Sequence, residues 1–168
     1  EGLEETTAGT VDVASLDRVL DLRADVLAVG PGLGVGPGLE VFVRGLLERA
    51  AVPLVIDADG LNALVGDPER LQGRDSLDVI ITPHPGEMGR LARMSVEQVQ
   101  ANRIEVARSF AMSHHVHVVL KGHRTVVATP EGSAFVNLTG NPGMASGGMG
   151  DVLTGMIAAW FAKLLDAE

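Results

Sequence analysis

Four short apolar runs, each ending at a glycine or a polar residue, set the narrowest limits on how this chain can fold. They are Asp25-Val-Leu-Ala-Val29, Pro53-Leu-Val-Ile56, Asp78-Val-Ile-Ile81 and Val116-His-Val-Val-Leu120. Runs of four or five apolar residues bounded by turn signals read as strands buried on both faces. Segments with helical spacing lie between them, such as Leu39, Phe42, Val43, Leu46 and Leu47 behind Pro37, with Arg44, Glu48 and Arg49 on the other side. Strand alternating with helix predicts an α/β fold, a mostly parallel sheet with helices on both faces. Open sheets of this kind bind ligands beyond the carboxyl ends of their strands. Gly34, Asp57, His84 and Lys121 each fall just past such an end, so four loops should converge on one edge.

The remaining segments fit the same plan. Glu1 to Thr10 is acidic and reads as a loop, and Ser15 is placed to cap a short helix over Leu16 to Leu22. Gly66 to Ser76 reads as a polar loop. Ser95 and Gln98 form a capping box opening one longer helix, with Val99, Val106 and Phe110 on a shared face. Thr125 to Ala128 and Ser133 to Asn137 read as two strands around a Pro130-Glu-Gly132 turn. The last helix, about Met149 to Leu165, is apolar apart from Thr154 and Lys163, which predicts burial against a sheet or a partner chain. No repeat or linker divides the chain, and 168 residues suit one domain, 1–168.

The net charge of −9 and the lack of a basic run argue against nucleic acid and anionic membranes as partners. No apolar run approaches the ~20 residues of a membrane span, and Glu1-Gly2-Leu3-Glu4-Glu5 does not read as a signal peptide. Cysteine is absent, which removes disulfides and thiolate chemistry and fits a reducing compartment. The expectation is a cytoplasmic protein.

Against this acidic background one stretch favours an anion. Gly143, Gly147, Gly148 and Gly150 fall within eight residues and leave backbone N–H groups unobstructed, and Asn141 opens the same loop. The helix behind them adds unpaired amides and the positive end of its dipole, with Asp151 at the junction. A carboxylate beside a bound phosphate can take a proton from a hydroxyl attacking phosphorus, and the amides can hold the charge that develops on oxygen. Lys121-Gly-His-Arg-Thr125 places two permanent cations, a histidine and a hydroxyl in five residues, which reads as a phosphate clamp or as an exposed basic turn. His84, fixed between two prolines with Glu87 three residues on, is either a ligand contact or a structural side chain. Asp57 and Asn62 either join neighbouring loops by hydrogen bonds or touch substrate. His114, His115 and His117 cluster, with alternation placing His115 and His117 on one face of a strand start, but no compact ligand set accompanies them for zinc. Neither the dinucleotide fingerprint nor the P-loop pattern can be drawn through Gly30 to Gly38 or elsewhere.

Five motifs in order, Gly30-Pro-Gly-Leu-Gly34, Asp57-Ala-Asp-Gly-Leu-Asn62, Thr82-Pro-His-Pro-Gly-Glu-Met88, Lys121-Gly-His-Arg-Thr125 and the stretch from Thr139 to Gly155, together resemble the ADP-dependent NAD(P)H-hydrate dehydratases. These form a repair branch of the ribokinase-like superfamily. The resemblance implies a three-layer ribokinase-like sandwich and a hydro-lyase that uses ADP, or ATP, to dehydrate hydrated NADH or NADPH. It implies that Gly34, His84 and Asp151 contact the hydrated dinucleotide, with Asp151 as base. Lys121, Gly122, His123, Arg124, Thr125 and Gly150 would hold the adenine nucleotide, with Gly147 and Gly148 in support. Glu87 keeps the acidic end of a pattern that supports Mg2+ in kinase relatives, which have Asn where His84 stands. A homo-oligomer, a tetramer, is also implied. So is a longer domain, with a further strand and helix before this chain and more helix after Glu168. A ribokinase-like kinase of a small alcohol and a non-catalytic nucleotide-binding fragment are the alternatives.

Overall fold

The computed structural model describes residues 3–7, 9–74 and 77–165. Glu1, Gly2 and Ala8 of the acidic leading segment, Asp75 and Ser76 of the polar loop, and residues 166–168 lie outside the described residues. A six-stranded sheet runs in sequence order: β1 (Leu27–Val29), β2 (Leu54–Ile56), β3 (Val79–Ile81), β4 (His117–Leu120), β5 (Val126–Ala128) and β6 (Ala134–Val136). The first four strands are parallel neighbours, and β5 and β6 complete the sheet as antiparallel additions. The helices are α1 (Ser15–Leu20), α2 (Pro37–Arg49), α3 (Ala58–Asn62), α4 (Pro85–Ala92), α5 (Val96–Ala101), α6 (Arg103–His114) and α7 (Met149–Leu165).

The register separates the two faces of the sheet. Leu54, Ile56, Val79, Ile81, Val118, Leu120, Val126 and Ala128 join one core cluster with Phe42, Leu46, Met88, Val99 and Phe110 from the helices. Because side chains alternate along a strand, Ala28, Val55, Ile80 and His117, which are partners in register, point the other way. Helix α7 packs on β1 and β2, and Val55 is fully buried. Farther along, Phe135 on β6 is 62% exposed. The fold is thus the α/β architecture expected, with one thick helical layer and one thin one.

Several local expectations are corrected. Ser15 does not cap α1: the N-cap is Ala14, and the Ser15 hydroxyl instead accepts a hydrogen bond from Glu4 N at 2.9 Å. Helix α1 ends at Leu20 rather than Leu22. The single helix expected after Ser95 is two, broken at Asn102, although the Ser95–Gln98 capping box forms as expected. The polar loop after Gly66 contains a 3-10 turn, Pro68–Arg70, that drives Leu71 into the core with no exposure. His115 is the left-handed C-terminal cap of α6, at φ 50°, so strand alternation does not relate it to His117. Helix α7 packs on the sheet, one of the two surfaces expected for it, but only one of its sides is covered there. Val152, Met156, Trp160 and Leu164 are between 53% and 62% exposed, and Thr154 is its buried residue. Among the described residues, no helix is long and apolar enough to cross a membrane.

His114 ties the end of α6 to the loop before β3. Its ring stacks on Phe110 at 4.1 Å, and its Nδ1 lies 3.0 Å from the Leu71 carbonyl oxygen, which makes Nδ1–H the donor. Burial lowers the His114 pKa below its ordinary 6.5, outweighing the opposing hydrogen bond to Leu71. A histidine held neutral in the folded state contributes stability above the unfolded value, and that contribution declines as pH falls below it. Thermal unfolding between pH 7.5 and 5 should therefore show a loss of stability beginning near 6.5, and His114→Phe should flatten that part of the profile. An unchanged profile in the variant would exclude His114 as its source.

Candidate functional site

The parallel run of β1 to β4 brings four strand ends to one edge, and backbone hydrogen bonds continue the ladder into the loops. Asp57 N donates to Val29 O at 3.0 Å, Thr82 N to Ile56 O at 3.1 Å and Lys121 N to Pro83 O at 2.8 Å. Gly30, at φ +135°, turns the chain after β1 where a Cβ would lie 1.7 Å from Asp57 O, so only glycine fits. The turn carries Gly34, whose N–H donates to Asp59 Oδ2 at 2.9 Å. Asp59 is in the first turn of α3, and sequence reasoning did not single it out.

Asp57 is 1% exposed, and both its oxygens are engaged. Oδ1 accepts from Lys121 Nζ at 2.6 Å and Oδ2 from Thr154 Oγ1 at 2.8 Å. Asp57 thus joins loops, one of the two roles left open for it. Asn62 does likewise, accepting from Arg90 Nη2 at 2.8 Å. Lys121 points into the protein toward Asp57 instead of out from its loop, and it also lies 3.9 Å from Glu87 Oε2. The rest of that loop is open: Gly122, His123 and Arg124 are exposed, Gly122 and Arg124 have positive φ, and Thr125 Oγ1 donates to Gly122 O at 3.2 Å. Arg103, also not anticipated, holds the loop's start through the Leu120 and Lys121 carbonyls at 2.9 and 3.2 Å.

His84 is the N-cap of α4, a helix not anticipated from the sequence. Its Nδ1 accepts from Gly86 N at 2.9 Å and Glu87 N at 3.4 Å, while Glu87 Oε2 accepts from His84 N at 2.7 Å. The result is a capping box in which histidine stands where Ser or Asp is usual. Since Nδ1 is the acceptor, the ring hydrogen resides on Nε2, 3.5 Å from Glu87 Oε1. The half-exposed ring thus carries its hydrogen on the nitrogen beside Glu87.

The loop before α7 is exposed from Thr139 to Gly148, and Asn141 Oδ1 accepts from Gly143 N at 2.8 Å. A Cβ on Gly147 or Gly148 would meet nothing within 4 Å. Helix α7 begins with Met149 N donating to Ser146 O and Val152 N to Gly148 O, leaving the amides of Gly150 and Asp151 open among the described residues. A Cβ on Gly150 would lie 3.6 Å from both Asp57 Oδ2 and Lys121 Nζ. Asp151 is exposed, and among the described residues its carboxylate has no hydrogen-bond or ion-pair partner. It lines a cleft of about 530 Å³ with Gly30, Pro31 and Leu33. The start of α7 therefore lies between the β1 turn, on the Asp151 side, and the Asp57–Lys121 pair, on the Gly150 side.

A family profile described as NAD(P)H-hydrate dehydratase matches residues 4–167. The chain belongs to that family. It is 47% identical over 170 residues to a bifunctional NAD(P)H-hydrate repair enzyme of Thermofilum pendens, covering 100% of this chain and 32% of that protein. It is 42% identical to the ADP-dependent (S)-NAD(P)H-hydrate dehydratase of Neisseria meningitidis serogroup B, covering 96% of this chain and 54% of the relative. The ADP/ATP-dependent NAD(P)H-hydrate dehydratase of Bacillus subtilis, crystallised with ATP/Mg2+, superposes with a TM-score of 0.75 at 36% identity, covering 86% of this chain and 51% of that one. A ribokinase-like superfamily protein of Enterococcus faecalis superposes with a TM-score of 0.71 at 31% identity, over 89% of this chain and 51% of its own. The fold is therefore ribokinase-like, and the chain spans about half the length, or less, of the relatives it matches.

The His84 cap separates structure from binding. Replacing His84 by Ala removes the acceptor for two α4 amides and should cost about 1 kcal/mol of unfolding free energy. His84→Asn restores a side-chain acceptor at the N-cap and should recover most of it. Denaturant unfolding of the three proteins checks this, and equal stability of all three would remove the capping role.

Proposed function

We propose that this chain carries the catalytic core of an ADP-dependent NAD(P)H-hydrate dehydratase, a metabolite-repair hydro-lyase, within a single ribokinase-like domain. The observation that supports it most is the open start of α7: free amides on Gly150 and Asp151 beside an unpaired carboxylate, in a chain of this family. The substrates would be hydrated NADH or NADPH and an adenine nucleotide, ADP or ATP. The terminal phosphoryl group would rest against the α7 amides, where local donors offset the chain's net negative charge. The Asp151 carboxylate would take the proton of the hydrate's ring hydroxyl as that oxygen attacks phosphorus and AMP (from ADP) or ADP (from ATP) leaves. Breaking of the ring C–O bond with departure of phosphate, and loss of a proton from the adjacent ring carbon, would then restore the dihydronicotinamide double bond. Gly34 and the Nε2 edge of His84 would face the hydrated ring, and the open backbone of residues 122–125 would face the nucleotide.

The resemblance implies Mg2+ as a cofactor and gives Glu87 a supporting role. Glu87 is 5% exposed, and its carboxylate serves the α4 capping box. Among the described residues, no group of three His, Cys, Asp or Glu is placed to hold a metal ion. Mg2+, with which the Bacillus subtilis relative was crystallised together with ATP, would enter with the nucleotide's phosphates, which supply ligands of their own.

The direct test is recovery of NADH absorbance from its hydrate in the presence of ADP and Mg2+. Asp151→Asn should keep nucleotide affinity within a few-fold and lower the rate by about 10²–10⁴. Phosphorylated alcohol as the sole product of a small-alcohol screen would instead support the kinase, and nucleotide binding without any turnover would support a binding fragment.

The homo-oligomer is part of the same reading, supported by the apolar stripe of Val152, Met156 and Trp160 that α7 leaves exposed. Size-exclusion chromatography with light scattering should give a mass above that of one chain, and Trp160→Lys should reduce it. A monomeric wild-type chain would reject the oligomer.

A further inference from the structure

Helix α7 brings the proposed base and the open amides to the site. On it Leu153, Ile157, Ala158 and Phe161 are half-buried while Val152, Met156, Trp160 and Leu164 are exposed, and apolar contact is non-directional. One polar contact adds direction. Thr154, 2% exposed, is the buried residue of the helix, and its hydroxyl reaches Asp57 Oδ2 at 2.8 Å while lying 3.1 Å from Gly150 O one turn back. The single hydroxyl hydrogen has two acceptors in reach, and the shorter contact, to the charged Asp57 Oδ2, is the stronger one. Asp57 is held in turn by Lys121 at 2.6 Å, which anchors it to the end of β4.

We infer that Thr154 and Asp57 are positioning residues for the α7 site: their hydrogen bond sets the rotation of the helix and so aims Asp151 and the amides of Gly150 and Asp151. Thr154 follows Asp151 by three residues, so the two are neighbours on the helix surface. Thr154 and Asp151 line the same cleft beside Gly30 and Pro31; Thr154 is tied to Asp57, and the exposed Asp151 carboxylate stays open. Lys121 then acts as the fixed partner of Asp57, the role its inward ammonium already performs, rather than as a mobile phosphate clamp. This inference rests on the reading of α7 as the phosphoryl site.

Two variants at one position test it. Thr154→Val keeps the branched shape and removes the hydroxyl; Thr154→Ser keeps the hydroxyl and removes a methyl group. Melting temperature, ADP affinity by calorimetry, and kcat and KM for the hydrate would be measured on each, well below the melting point. The valine variant should bind ADP at least about 5-fold more weakly and lose roughly 10- to 100-fold in kcat, as misplacement by about 1 Å can cost. Serine should stay within about 3-fold of wild type on both measures, whatever its melting temperature. Wild-type ADP affinity and kcat in the valine variant would overturn the inference, as would equal losses in valine and serine. Should the wild-type chain bind ADP without dehydrating the hydrate, the dehydratase reading fails by itself. The positioning claim is then decided by ADP affinity alone, with weakening in valine but not in serine supporting it and any other pattern rejecting it.

Discussion

A buried aspartate with both oxygens committed is the contact on which the rest of this edge depends. Asp57 follows β2 and Lys121 follows β4, so their 2.6 Å ion pair spans the end of β3 that lies between them. Removing one partner of a buried pair leaves an uncompensated charge and typically costs about 3–5 kcal/mol. Such a pair adds little net stability compared with an apolar substitute, but it tolerates few geometries. Here that intolerance fixes three things together: the β2 and β4 loops, the β3 loop through the Lys121 N to Pro83 O bond, and the start of α7 through Thr154. The capping box at His84 then receives a defined base on which to stand.

The same arrangement explains how an acidic chain can offer an anion site. With a net charge of −9, the long-range field opposes a phosphate. Lys121 cannot reverse this freely, because its ammonium is paired with Asp57. What remains are the exposed Arg124 and backbone dipoles, the latter carrying partial positive charge and no counter-ion. The open amides of Gly150 and Asp151 are of this kind, and the glycines before them keep side chains from covering the approach. Local donors at short range outweigh a distant, screened field.

β2 and β3 were legible because burial on both faces leaves uninterrupted apolar runs; β1, with Ala28 exposed, and β4, which alternates in burial from His117, were read from the same length and turn signals although they are not buried on both faces. The bounds of α7 were legible for a related reason, a glycine loop followed by an unbroken helical segment. What could not be read was which contacts the polar residues would make. Ser15 looked like a cap but serves Glu4, because the choice between its own helix and the leading segment is tertiary. Helix α4 was hidden behind Pro83-His84-Pro85, since histidine is seldom considered an N-cap, although Pro85 at the first helical position and Glu87 at the third were the available signals. Lys121 read as an outward cation because its partner lies 64 residues away in sequence.

Thr154 carries the most instructive reversal. In the sequence it interrupts an apolar helix, and composition alone would place the apolar residues inward and the threonine outward. The fold does the opposite at this position: Thr154 is buried while Val152, Met156 and Trp160 are exposed. Burying a hydroxyl is unfavourable unless it is bonded; Gly150 O is within reach at 3.1 Å, and Asp57 Oδ2 is the nearer, charged acceptor at 2.8 Å. An apolar residue there would leave Asp57 Oδ2 short of a donor, which is the costlier outcome. The polar interruption is therefore the part of α7 that specifies its place, and the apolar remainder only has to be compatible with it. A helix anchored by one directional bond near its start is most tightly held where Gly150 and Asp151 face the strand ends, and least held toward Leu165, far from any chemistry.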